Sequence, residues 1–415
     1  MWTGALDRLL AQVIREGSLT ITDAQGRSHT YGDGKGEAVH VTFTDPALPR
    51  KLILAPEMAL GEGYMDGRLV IGDDDLYGFL GLVIRNIAKH DMPWFERPMR
   101  AARYGLRWLD QFNPVSRARR NAAHHYDLSR ELYDLFLDED RQYSCAYFAR
   151  PDMTLDEAQE AKKTHIARKL LIEPGMRVLD IGCGWGGLAL TLARDYGAHV
   201  TGVTLSREQH ALATERARQE GLSDKVEFRL MDYREVEETF DRVVSVGMFE
   251  HVGVPYYAEF FRDVHDRLTD TGIALIHFIG RASPPGITSP WIAKYIFPGG
   301  YVPAMSEVLP HIERHDLYTT DIEVWRLHYA ETLANWYKRF MANIDKARAL
   351  YDDRFCRMWR YYLVASELTF RLNKQVVFQF QLSKVQDSVP LTRDYLYSDG
   401  RDAAAPAARE PAKAG

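Results

Sequence analysis

The run VLDIGCGWGGLAL, residues 178–190, sets an acid, Asp180, ahead of Gly182, Gly184 and Gly186. Glycines at this spacing let a backbone turn tightly and lie close to a ligand. The helix expected after them favours anionic groups at its first turn. A dinucleotide site would carry a further acid about 20 residues on, at the end of the second strand, for a ribose hydroxyl. Here that strand ends in Thr204-Leu205-Ser206, with no carboxylate. The D-x-G-x-G-x-G spacing, with its acid on the first strand, points instead to S-adenosylmethionine as the ligand.

A second group of residues is dense in acids, hydroxyls and rings. Gln142-Tyr143-Ser144-Cys145-Ala146-Tyr147-Phe148 precedes the glycine loop; SVGMFEHVG carries Glu250 and His251; IALIHFIG carries His277; WRLHYAETLANWYKRF carries Tyr329. Singly, each has a plain reading. A lone Cys is commonly a small buried hydrophobe, a strand His a hydrogen-bonded core residue, a helical aromatic stripe part of the core. Together they mean more, because Glu250 and His277 both fall at carboxyl ends of predicted strands. In an open α/β sheet such ends converge on one cleft.

The elements that must position these residues follow a regular order. Between 155 and 280, five apolar runs alternate with helical stretches of ten to fifteen residues, the signature of a mainly parallel, doubly wound α/β sheet. The runs are MRVLDIG, AHVTGVTLS, KVEFRLMD, FDRVVSVG and GIALIHFIG. Residues 1–110 read as a smaller mixed α/β domain: an amphipathic helix at 5–15, short alternating strands around Gly/Asp turns, a turn-rich stretch LAPEMALGEGYMDG, and a helix LYGFLGLVIRNIAKH. Residues 111–395 form the catalytic domain. Within it, 283–320 reads as a Pro/Gly-rich inserted loop, 323–372 as helical and aromatic, and KQVVFQFQLSK as a late strand. The Ala/Pro-rich stretch 396–415 is expected to be disordered.

Composition narrows the class. Apolar residues make up 46% and charged residues 27%, which excludes a wholly disordered or collagen-like chain. The net charge of −6 argues against a general nucleic-acid binder. Three scattered cysteines suit a reducing compartment and suggest no metal site. No run approaches the ~18 apolar residues needed to cross a bilayer. Residues 97–121 invert the overall balance: Arg97, Arg100, Arg103, Arg107, Arg117, Arg119 and Arg120 face one acid, Asp110. A basic stretch with Tyr104, Trp108 and Phe112 among its neighbours is what anionic lipid headgroups attract. A solvated linker with wet arginines would look the same.

The chain strongly resembles the cyclopropane-fatty-acyl-phospholipid synthases and their relatives, the mycolic acid cyclopropane synthases. The matching stretches are HYDLSRELYDLFLDEDRQYSCAYF, VLDIGCGWGGLAL, GVTLSREQ, SVGMFEHVG and IHFIG, within about residues 120–385. QYSCAYF and GMFEHVG are not general methyltransferase motifs. The resemblance implies a class I, Rossmann-like methyltransferase that forms a cyclopropane ring on the cis double bond of an unsaturated phospholipid. It implies a bicarbonate ion held by Cys145, Glu250, His277, Ile279 (through its backbone) and Tyr329. It further implies methionine-end contacts from Tyr143, Ser144 and the Gly182/Gly184 loop, and adenosine contacts from Thr204, Leu205, Gln209, Asp232 and Tyr233. Ser366 departs from relatives that carry Cys there. The implied setting is cytoplasmic, with peripheral contact at the inner face of the membrane. The N-terminal domain is left with either lipid contact or homodimer contact.

Three alternatives stand beside this reading. A lipid C-methyltransferase would leave a methyl or methylene branch through the same carbocation. A non-catalytic lipid-binding protein would keep the fold without turnover. An NAD-dependent oxidoreductase lacks its second-strand acid.

Overall fold

The computed structural model describes residues 2–89, 104, 105, 107, 111 and 129–397. The alternating pattern between 155 and 280 folds as expected: β5 (Arg177–Ile181), β6 (His199–Thr204), β7 (Val226–Leu230), β8 (Phe240–Val246) and β9 (Leu268–Arg281) are mutually parallel. β10 (Tyr318–Trp325) and β11 (Gln375–Ser383) extend the sheet in the order β10-β11-β9-β8-β5-β6-β7, with β11 antiparallel to both neighbours. β5 lies between β6 and β8, so the strand order reverses beside it and opens a crevice at the carboxyl end. Buried strands such as VLDI have nearly continuous apolar runs because helices cover both faces.

The N-terminal residues form a second sheet, β2-β1-β3-β4, from β1 (Ser18–Thr22), β2 (Ser28–Tyr31), β3 (Ala38–Phe43) and β4 (Leu69–Ile71). β1 and β3 pair in parallel, so this is not a simple meander. The stretch expected to be turn-rich is instead the helix Pro56–Met65. Its Gly61 serves packing: a Cβ there would lie 2.3 Å from the Trp291 ring nitrogen. Trp291 and its neighbours join this unit to the catalytic one. The Trp291 Nε1–H donates to Met65 Sδ at 3.2 Å, Tyr77 donates to Glu367 at 2.6 Å, and Lys294 pairs with Glu62 at 2.7 Å.

Three further expectations are corrected. The Pro/Gly-rich 283–320 segment contains two helices, Pro290–Tyr295 and Met305–Glu313, and leads into β10. Residues 323–325, expected to be helical, complete that strand. Polar and apolar residues alternate too weakly in TTDIEVW to mark an edge strand, and pairing with β11 decides it. Leu396, expected to begin a disordered tail, is buried, and Arg168 donates to its carbonyl at 3.1 Å; residues 398–415 lie outside the described ones.

Of the basic run, Arg97, Arg100, Arg103, Arg117, Arg119 and Arg120 also lie outside the described residues. Arg107 is turned inward rather than toward a headgroup. It pairs with Glu307 at 3.0 Å and donates to the Tyr301 hydroxyl and the Gly286 carbonyl. Glu307 is itself nearly buried, so the guanidinium is drawn to it. Among the described residues no helix is long and apolar enough to cross a membrane.

Candidate active site

The cavity beyond the sheet begins at the glycine loop. The amides of Gly182 and Cys183 both donate to the Val203 carbonyl, which ties the loop to β6. Gly186 takes φ +85°, and a Cβ there would lie 2.6 Å from Phe228 and 2.9 Å from Ala213. The turn can therefore be made only by a residue without a side chain. Gly186 packs behind the cavity. Asp180, Gly182, Gly184, Thr204, Leu205, Gln209, Asp232, Tyr233, Tyr143 and Ser144 line it. Ten of the eleven residues assigned to the donor thus converge on one space.

Each strand end has its own support. Thr204 donates its hydroxyl to Gln209 Oε1 at 3.0 Å, and Ser206 caps the following helix by accepting from the Gln209 amide. Asp232 is held by a two-point pair with Arg234, both contacts at 2.8 Å. Tyr233 packs edge-on against Phe260. Asp180 is different. It is buried, and its Oδ2 has no hydrogen-bond partner among the described residues. Burial pushes its carboxyl up to about 7, against a downward pull from Lys162. A ligand hydroxyl or ammonium placed there would satisfy the orphaned oxygen.

The five residues linked to an anion do not line this cavity, and they divide into two groups. Glu250, Tyr329 and Cys145 are electrostatic neighbours. Glu250 accepts the Ile279 amide on Oε1 at 2.6 Å, so that backbone group is committed to the carboxylate. Glu250 Oε2 is buried without a partner among the described residues. Burial pushes the carboxyl up to about 7, with the Ile279 amide opposing. Burial also raises the Cys145 thiol and the Tyr329 phenol far above their usual ranges, so both stay protonated. The Cys145 Sγ–H points at the Ala146 carbonyl.

His277 stands apart. Its Nδ1 meets Gln379 Nε2 at 3.0 Å and its ring sits edge-on to Trp325. Burial, reinforced by Lys162 and Lys169, holds it neutral. No hydrogen bond joins it to Glu250. The link is the strand: His277 and Ile279 are two apart on β9 and share one face. Tyr143 bridges cavity and acceptor side. It lines the cavity, its hydroxyl meets that of Tyr362 at 3.0 Å, and its ring stacks on Trp336, against which Tyr329 packs edge-on. Tyr147, in the same run, is stacked on His165 and His328.

Gln142, at the head of the same candidate run, also lines the cavity; sequence reasoning missed Lys162 and the loop residues Pro298 and Gly299 that complete its wall. Lys162 carried a signal. On the helix Leu155–Leu170, Gln159, Lys162, Ile166 and Lys169 share the face that points inward, and all four are fully buried. Polar residues on a core stripe are unusual enough to mark a site.

A seven-stranded sheet of this order, with a glycine loop after β5 and an acid at that strand's end, defines a class I S-adenosylmethionine-dependent methyltransferase. Solved structures agree. The chain superposes on the cyclopropane synthase MmaA2 from Mycobacterium tuberculosis with a TM-score of 0.62, at 33% identity over 66% of this chain and 99% of that one. It superposes on the mycolic acid cyclopropane synthase CmaA1, solved with SAH and CTAB, with a TM-score of 0.61 at 34% identity, over 66% of this chain and 99% of that one.

The chain belongs to the mycolic acid cyclopropane synthetase family, whose profile matches residues 114–380. A domain family of unknown function matches residues 6–90. The chain is 40% identical to the cyclopropane-fatty-acyl-phospholipid synthase of Escherichia coli K12, over 83% of this chain and 87% of the relative. It is 34% identical to the tuberculostearic acid methyltransferase UfaA1 of Mycobacterium tuberculosis, over 91% of this chain and 90% of the relative.

Proposed function

We propose that this enzyme transfers a methylene group from S-adenosylmethionine to the cis double bond of an unsaturated phospholipid acyl chain drawn from a membrane, closing a cyclopropane ring. The observation that carries the reading is Glu250: a buried carboxyl with one oxygen on the Ile279 amide and the other unpartnered, beside Tyr329 and Cys145.

An alkene is a weak nucleophile, so alignment carries much of the rate. The glycine loop and Thr204–Gln209 would fix the donor, and Tyr143 would separate donor from acceptor chain. The sulfur–methyl bond breaks as a carbon–carbon bond forms, leaving a carbocation on the acyl chain. The buried rings of Tyr329, Trp336 and Phe370 exclude water from that cation. Aromatic faces stabilise it by roughly 0.5–2 kcal/mol each. A proton must then leave the new methyl group so that the ring closes. Bicarbonate, when bound, supplies a base for that proton. The residues present suit it: Glu250 Oε2 would accept a hydroxyl proton, and the protonated Tyr329 and Cys145 would donate. The thiol takes no covalent part, because burial holds it protonated.

Unsaturated phospholipid vesicles with isotopically labelled S-adenosylmethionine test the reading, with the product resolved by NMR. A ring product from the native chain, and turnover lowered by about 10²–10⁴-fold in Glu250→Gln with donor binding retained, is the expected result. Full turnover in that variant would remove Glu250 from the base-holding role. The second reading, a methyl- or methylene-branched product, draws on the UfaA1 relative matching along 91% of this chain. The same NMR spectrum separates the two.

A further inference from the structure

We propose that Lys162 is a positioning residue for the carboxylate at the methionine end of S-adenosylmethionine, acting through the hydroxyl of Ser144. This rests on the donor-site reading and names the group that receives the donor's negative charge.

Lys162 is fully buried, yet it lines the cavity. Its ammonium donates to Gln142 Oε1 at 2.7 Å and to Ser144 Oγ at 2.8 Å, which leaves a third proton without a hydrogen-bond acceptor among the described residues. Two arginines also line the cavity, and each has a carboxylate: Arg141 pairs with Asp134 at 2.5 Å and Arg234 with Asp232 at 2.8 Å. Among the described residues Lys162 has no carboxylate within ion-pair distance. Two carboxylates lie nearby beyond that distance: Asp138, which accepts the Gln142 and Asp140 amides, and Asp140, which is taken by Lys163 at 2.7 Å and Arg216 at 2.5 Å. A buried charge without a partner is costly, and an anion entering the cavity would supply one.

Ser144 gives the charge its direction. Its oxygen accepts from Lys162, so its own hydroxyl proton is free to point elsewhere, and Ser144 lines the cavity. The ammonium thereby polarises an O–H donor aimed at the ligand. Gln159 fixes this loop by donating to the carbonyls of Gln142 and Ser144 at 3.1 and 3.0 Å. The donor's amino-acid end carries one cation and one anion. Asp180, with its orphaned oxygen, suits the cationic or hydroxyl groups, and Lys162 suits the carboxylate.

Burial lowers the Lys162 ammonium to about 8. The groups facing it are Asp138, Asp140 and Cys145 on the preceding loop, Lys163 on its own helix, Asp180 on β5 and His277 on β9. Affinity for a carboxylate should fall as pH rises above about 8, where the positive charge is lost.

The test is calorimetry on the full chain with two probes. S-adenosylhomocysteine carries the amino-acid end; 5′-methylthioadenosine has the same adenosine and thioether without it. K162M should weaken S-adenosylhomocysteine by at least about tenfold, the worth of a charge-assisted hydrogen bond, and leave methylthioadenosine unchanged. K162R should bind close to the native level. Between pH 8 and 10 the native chain should lose more affinity for S-adenosylhomocysteine than K162R, which reports the ligand's own titration. This native-against-K162R comparison decides the matter even if K162M does not fold. Equal losses for both probes would show a merely structural role and overturn the proposal. So would unchanged affinity for both, including the case in which K162M instead raises the bicarbonate concentration needed for half-maximal turnover. If the native chain bound neither probe, the donor-site reading itself would fall.

Discussion

The helix Leu155–Leu170 buries two lysines seven residues apart on one face, and its two ends treat them oppositely. At the far end Lys169 is fully buried against two carboxylates, Asp321 at 3.3 Å and Glu323 at 2.6 Å. His165 adds a contact to Glu323 at 2.7 Å, and Arg393 also pairs with Asp321. Burial would raise Glu323, but His165 and Lys169 outweigh it and hold the carboxyl down at about 2. At the cavity end Lys162 touches only neutral oxygens. The first arrangement is closed and fastens β10 to the helix. The second is incomplete without a ligand. Equal burial therefore does not mean equal purpose, and the presence of a carboxylate separates a structural charge from a binding one.

The sharpest way to break this comparison is Lys169→Met. It removes the ammonium that Asp321 and Glu323 share and leaves them only Arg393 and His165, and chemical denaturation should show a loss of about 3–5 kcal/mol. A loss below 1 kcal/mol would mean the two ends are alike.

Next in size is a pH effect on the ligand-free chain. Lys162 has a folded value below its unfolded one, so the unfolded state binds more protons between about 8 and 10.5. Native stability should rise across that window, relative to K162M, by up to about 3 kcal/mol. Asp180 and Glu250 run the other way. Both are raised to about 7, so each contributes stability at low pH that is lost as pH climbs from about 4 through 7.

Gly187→Ala comes third. A Cβ there would lie 2.3 Å from Asp140 and 2.5 Å from the Gln142 amide, the loop on which Lys162 rests. It should cost about 1–3 kcal/mol and weaken S-adenosylhomocysteine binding. The smallest effect belongs to K162M itself at pH 7. Its unfolding free energy should move by about 1 kcal/mol or less, because the cost to Asp138 of losing a nearby positive charge is offset by removing the buried ammonium itself.

These lysines also mark the limits of what could be read in the chain. The parallel strands and the glycine loop with Asp180 were legible because each depends on local spacing: a two-residue alternation, a capped helix, a turn only glycine can make. The other cavity-lining residues, from Tyr143 and Ser144 to Asp232 and Tyr233, were named from family resemblance. β10 was not legible, since an edge strand owes its form to the neighbour it pairs with. The turn reading of Pro56–Met65 failed for a related reason, because Gly61 is small for Trp291, some 230 residues away. Glu250, Tyr329 and Cys145 were named from family resemblance, and the fold places them together. His277 belongs to the same strand face as Ile279 but bonds to Gln379 on β11.

Order along the chain was sufficient to specify the five parallel strands and the glycine loop, because backbone geometry and hydrophobic period act over a few residues. Which buried charge has a counter-ion is another kind of fact. Lys162 and Lys169 have the same side chain on the same face of the same helix. They differ only in what distant strands and loops bring within about 4 Å, the reach over which a buried ammonium is either neutralised or left waiting for an anion.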